Sequence, residues 1–255
     1  LHARRPVASE AGGGNPRLFS LGPAAGVALV VATLLAVGLL VYRALTARSL
    51  ALPLADHFDA FLLLALLLDG AVLYLRRTRR FRSLAVFLLP MIAALLLLGA
   101  ALAAVSPKPY PYGNIWTLLH VVSVIAGALC LALACVGAAA YLLAHRRLKR
   151  TPTPQALPSL PPLASLERFN MAMVYAGFPL LTVAMVTGVL RLAQSPAAHG
   201  AWLSPKILLA CAAWLTYALL AQVPLAPRLR GLHAAWLSIL GFSLFLATYA
   251  TVMGM

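Results

Sequence analysis

An all-α, polytopic integral membrane bundle of about seven transmembrane helices is the fold this sequence predicts, and three observations predict it. Of 255 residues, 63% are hydrophobic and 10% charged, whereas a soluble domain carries roughly 25% charged residues and could not hide this much apolar surface in one core. Apolar runs of about 20 residues recur along the chain, each long enough to cross about 30 Å of hydrocarbon. Twenty Lys and Arg stand against five Asp and Glu, a formal charge of +15, yet the cations fall in short clusters between the apolar runs. They read as topology signals, and no nucleic-acid partner is expected.

Residues 1–22 are rich in Gly, Pro and Arg without an apolar centre, which predicts a disordered basic lead-in and not a cleaved signal peptide. Residues 23–255 form a single transmembrane domain. Its spans are expected at 23–44, 58–75, 83–105, 115–144, 170–193, 203–223 and 233–253. Each must be a helix, because lipid cannot satisfy the backbone of an isolated strand.

The cations between spans set the orientation. Arg76, Arg77, Arg79, Arg80 and Arg82 follow the second span, Arg146, Arg147, Lys149 and Arg150 the fourth, and Arg228 and Arg230 the sixth. The alternate loops, near 106–114 and 194–202, hold only Lys108. The basic loops are therefore predicted to be cytoplasmic, with the N-terminus inside. Arg43 and Arg48, after the first span, run against this pattern, although Arg4, Arg5 and Arg17 outnumber them. The longest loop, Arg146 to Arg168, contains Thr151-Pro-Thr-Pro and then Pro158, Pro161 and Pro162, an extended linker. Trp116, Trp202 and Trp236 fall near span ends, as interfacial aromatics do. The hydropathy profile shows no inverted repeat of transporter type.

Little in the chain suggests catalysis. It has no GxSxG elbow, HExxH or phosphate-binding loop. Cys130, Cys135 and Cys211 match no zinc or redox spacing and read as small buried hydrophobes. Asp69, inside the second span, should face the bundle interior, with a snorkelling pair to Arg76 or Arg77 as the simplest role. Pro179, in Gly177-Phe-Pro-Leu-Leu-Thr182, should kink the fifth span, with small residues there allowing close packing.

The topology sorts the histidines: His57, His120 and His199 lie toward the outer face, His145 and His233 toward the inner. A neutral imidazole is a common axial ligand of haem iron, and a haem wants an apolar cleft with cations near its propionates. His57 and His120, with Lys108, Lys206, Arg43 and Arg48 at similar depth, could supply that chemistry. On spacing alone, an interfacial histidine bonded to a neighbouring carbonyl is the simpler account of each position.

From the second span onward the order of motifs resembles the cytochrome c assembly family of CcsA/ResC proteins, most nearly its shorter HemX-like and YpjD-like members. The resemblance rests on Pro53-Leu54 with Phe58-Asp59, Pro90, Trp116-Thr-Leu-Leu-His120-Val121, Leu166-Glu167-Arg168, Gly177 to Thr182, Thr187-Gly188, Pro205-Lys206, Trp214, Tyr217, Gly241-Phe242 and Thr248-Tyr249. It implies a helical membrane bundle of a bacterial-type inner membrane that binds or presents haem at its outer face, with a membrane partner from the assembly or haem pathway. His120 matches a family histidine implied in haem ligation. His57, Trp116, Trp202 and Lys206 are the other candidate contacts. The larger members carry a tryptophan-rich outer loop, where this chain has Trp202-Leu-Ser-Pro-Lys-Ile207, and Gln222 stands where they often have His. A scaffold or regulator without haem of its own is the alternative.

Overall fold

The computed structural model describes residues 23–46, 57–78, 81–105, 115–150, 160–194, 204–223 and 230–253. Within these the chain forms seven helices: α1 (Pro23–Thr46), α2 (His57–Arg77), α3 (Leu84–Val105), α4 (Ile115–Arg150), α5 (Leu163–Ala193), α6 (Pro205–Ala221) and α7 (Leu232–Met253). Five of them, α2, α3, α4, α5 and α7, are long and apolar enough to cross a membrane, while the apolar stretch Val30–Arg43 of α1 and the 17-residue α6 are shorter. The protein is a multi-pass integral membrane protein. Large apolar side chains such as Leu34, Leu35, Leu97 and Leu215 point outward from the bundle, an arrangement stable only where the surrounding solvent is lipid.

Contacts at both ends show the helices alternating in direction. At one end the C-terminal turn of α1 meets the first turn of α2 through Arg43 and Asp59. Phe61 of α2 also packs edge-on against Tyr249 near the end of α7, with centroids 4.8 Å apart. At the other end Phe81, between α2 and α3, lies against Phe169 near the start of α5. There too Glu167 accepts the backbone N–H of Gly231 at 3.2 Å, where the chain turns into α7 with a positive φ of 69°.

The centre is built on α4 and α5, which pack along most of their length. Small residues let them approach: a Cβ on Gly177 would lie 2.9 Å from Leu131 and 3.0 Å from the Cβ of Cys130, and one on Gly137 would meet Phe169 at 2.9 Å. In lipid, where apolar burial does not drive helices together, such close contact supplies much of the association. Tyr217 of α6 is fully buried. Its hydroxyl donates to the carbonyl of Ser238 at 3.3 Å, and Ser238 Oγ donates to Asn170 Oδ1 at 3.0 Å. This polar link joins α5, α6 and α7 while satisfying groups that would otherwise be stranded in hydrocarbon.

Two expectations change. The helices α4 and α5 extend past the apolar runs, to Arg150 and back to Leu163, so Glu167 and Arg168 are helical and the linker narrows to 151–162. At 1.5 Å per residue the 36 residues of α4 span about 54 Å, well beyond the hydrocarbon. Hydropathy marks only the part of a helix inside lipid, and the basic turns continue it into water. Second, Asp69 is buried, at 6% exposure, but no hydrogen bond or ion pair joins it to Arg76, Arg77 or any other described residue. The cations leave the end of α2 for solvent, while Asp69 turns into the bundle. The expected disordered segment 1–22, together with Arg48, Lys108, His199 and Trp202, lies outside the described residues.

Candidate functional site

The end of the bundle opposite the basic turns gathers most of the expected site residues. Val121 of α4 packs on Ala60 of α2, with Leu63, Ile125 and Tyr249 around them. This contact sets the first turn of α2, which His57 opens, beside the first two turns of α4, which carry Trp116 and His120. Trp116 is one turn before His120 on the same helix and is 38% exposed. Lys206 stands half-buried at the second position of α6, and no hydrogen bond or ion pair joins it to His120.

His120 is held by α5. Its Nδ1 lies 2.8 Å from the carbonyl oxygen of Ala184. A carbonyl only accepts, so Nδ1 carries the proton. Thr187 Oγ1 lies 3.3 Å from the same nitrogen, while the Thr187 hydroxyl donates to the carbonyl of Val183 at 2.7 Å. Its oxygen therefore faces the imidazole as a second acceptor. Gly188 completes the cradle, since a Cβ there would sit 3.1 Å from His120 Cε1. The arrangement fixes both ring orientation and tautomer, leaving Nε2 with its lone pair. A second acceptor that fixes the tautomer in this way is the usual partner of a metal-ligating imidazole.

The surroundings suit one axial ligand, not a metal cage. No group of three or more His, Cys, Asp or Glu side chains occurs among the described residues. Near His120 on α4, Trp116 and Leu119 are exposed, giving an apolar flank of the sort that a porphyrin face covers. One turn further in, an apolar groove between α2, α4 and α7 is lined by Phe61, Leu64, Val124, Phe245 and Tyr249. The donor chemistry, one tautomer-fixed imidazole beside an open apolar surface, fits a haem iron ligand.

Two cations read differently in three dimensions. Arg43, expected near propionates, donates instead to the carboxylate of Asp59, which is 1% exposed, and its guanidinium sits 5.3 Å from the Phe58 ring centroid. Its charge is neutralised internally. Arg191, in the last turn of α5, lies within electrostatic range of the His120 ring. It falls inside an apolar run in the sequence, so a count of loop residues passes over it. The one available signal was its position, four residues after Thr187.

The family model described as Cytochrome C assembly protein matches residues 54–253. No curated protein and no solved structure gives a significant match.

Proposed function

Since the chain belongs to the cytochrome c assembly protein family, and so acts in cytochrome c biogenesis from within the membrane, we propose that it binds or presents haem at the outer membrane face with His120 as an axial ligand. The observation that carries this reading is the hydrogen bond from His120 Nδ1 to the Ala184 carbonyl, which leaves Nε2 as the unprotonated nitrogen with a lone pair for iron. Trp116 lies on the apolar flank where a porphyrin would rest. His57, Trp202 and Lys206 belong to the same end by sequence position and complete the proposed surroundings. Haem supplies the iron and the cargo, while the protein's part is to hold the imidazole in one tautomer and keep an apolar face open beside it. The basic turns after α2, α4 and α6 support a cytoplasmic assignment for their end, hence an N-terminus inside, and the family membership is in keeping with a bacterial-type inner membrane.

Purified protein titrated with haemin should show a Soret band that shifts on reduction, and His120→Ala should weaken uptake at least about tenfold, the loss of one coordinate bond. Protein that stays colourless with excess haemin sinks the reading. The alternative, a scaffold or regulator without haem, draws support from the basic cytoplasmic extension of α4, whose residues His145 to Arg150 lie beyond the apolar run and offer a docking surface. Recovery of a stable partner with no pigment would favour it.

A further inference from the structure

We infer that Arg191 is an anion-receiving site that takes a carboxylate oxygen of a haem propionate beside His120. The inference rests on the reading of His120 as an axial ligand and assigns the other end of the same molecule.

Ala184, Thr187 and Arg191 follow one another at positions i, i+3 and i+7 and so form one stripe on α5. The first two touch His120 Nδ1, at 2.8 and 3.3 Å, and Gly188 backs the ring. Arg191 is the next residue on that stripe, one turn closer to the membrane surface. A ligand whose iron met Nε2 within the apolar layer would direct its polar edge toward this turn.

The charge of Arg191 also finds no acid beside it among the described residues. Among the described residues it makes no hydrogen bond or ion pair. The described acids are Asp59, tied to Arg43, Asp69, deep in α2, and Glu167, at the opposite end beside Gly231. A guanidinium at this end runs against the bias that keeps cations on the other face. Its planar fork matches a carboxylate by two parallel hydrogen bonds. A lipid phosphate offers the same anionic oxygens, so the test must separate the two sources.

The protein, in nanodiscs of zwitterionic or of anionic phospholipid, is titrated with haemin and with haemin dimethyl ester, which lacks free carboxylates. Wild type should prefer haemin by about tenfold, the worth of one charge-assisted pair. Arg191→Gln should erase the preference while leaving the Soret position and the affinity for the ester unchanged, and Arg191→Lys should keep part of it. An unchanged preference in Arg191→Gln overturns the assignment alone. A wild type with no preference, whose thermal stability rises in anionic lipid where that of Arg191→Gln does not, gives the guanidinium to lipid phosphate and also overturns it. Failure to take up either porphyrin removes the haem reading itself, and this inference with it.

Discussion

The indole N–H of Trp214 on α6 donates to Thr182 Oγ1 on α5 at 3.1 Å, two residues before the carbonyl that holds His120. Thr182 in turn donates to the carbonyl of Phe178 at 2.9 Å, just where Pro179 leaves the helix without one backbone N–H. The Trp214 ring also packs on Phe178, with centroids 5.7 Å apart. The C-terminal half of α5, which carries Ala184, Thr187 and Arg191, is thus pinned on the far side of its proline by α6. Replacing Trp214 with Phe keeps the ring contact and deletes the donor. It should cost about 1 kcal/mol, the worth of a buried hydrogen bond, seen as a lower unfolding midpoint in detergent. Thr182→Val removes the acceptor, and the double variant should cost little more than either single one.

Gly188 tests the cradle from the other side. With only 3.1 Å from a new Cβ to His120 Cε1, Gly188→Ala forces a shift of a few tenths of an ångström in a ring that two acceptors hold. The expected result is haem uptake weakened several-fold with helical content unchanged. Gly188→Val should be worse. Unaltered uptake in both would mean that the ring is free to move and that its orientation is not set by α5.

The pair of Arg43 and Asp59 ties α1, which lies before the matched region 54–253, to the rest of the bundle. Cutting it leaves a carboxylate at 1% exposure with its main counter-ion gone. The cost should be about 2–4 kcal/mol, somewhat below the figure for two fully buried partners because Arg43 is 32% exposed. Adding Asp59→Asn to Arg43→Ala removes the stranded charge and should recover more than half of that loss. If the double variant is no more stable than Arg43→Ala, the pair is not what holds α1 in place.

Much of this architecture could be read from the chain because the signal is local: twenty apolar residues in a row leave a membrane helix no alternative. The ends of α4 and α5 could not, since Arg146 to Arg150 and Leu163 to Phe169 combine helical backbone with a composition that resembles a loop. His120 was identifiable from its position in Trp116-Thr-Leu-Leu-His120-Val121, yet its partners on α5 were not. The register between α4 and α5 comes from contacts such as Gly177 on Leu131 and Gly137 on Phe169, and no span reveals those by itself. Thr187-Gly188 was legible as a motif of the resemblance, and what packs against it is the candidate ligand. Arg43 failed for the opposite reason, because its partner lies across a loop and cancels a charge that looked available.

Asp69 gives the cleanest contrast between a residue that is buried for a purpose and one that is merely tolerated. It lies twelve residues into α2, about 18 Å along the axis from the end that bears His120, and is 6% exposed with no partner among the described residues. A carboxyl held this way is paid for by the rest of the fold, since its desolvation is not offset by a bond. Asp69→Leu should therefore stabilise the protein by about 1–3 kcal/mol, and Asp69→Asn should be near neutral, with haem uptake unchanged in both. An ion pair hidden in the bundle would give the reverse. Either substitution would strand a cation and cost about 3 kcal/mol or more, because a single charge left alone in hydrocarbon is worse than the pair it came from. Unfolding midpoints of the two variants in one detergent separate these outcomes by their sign.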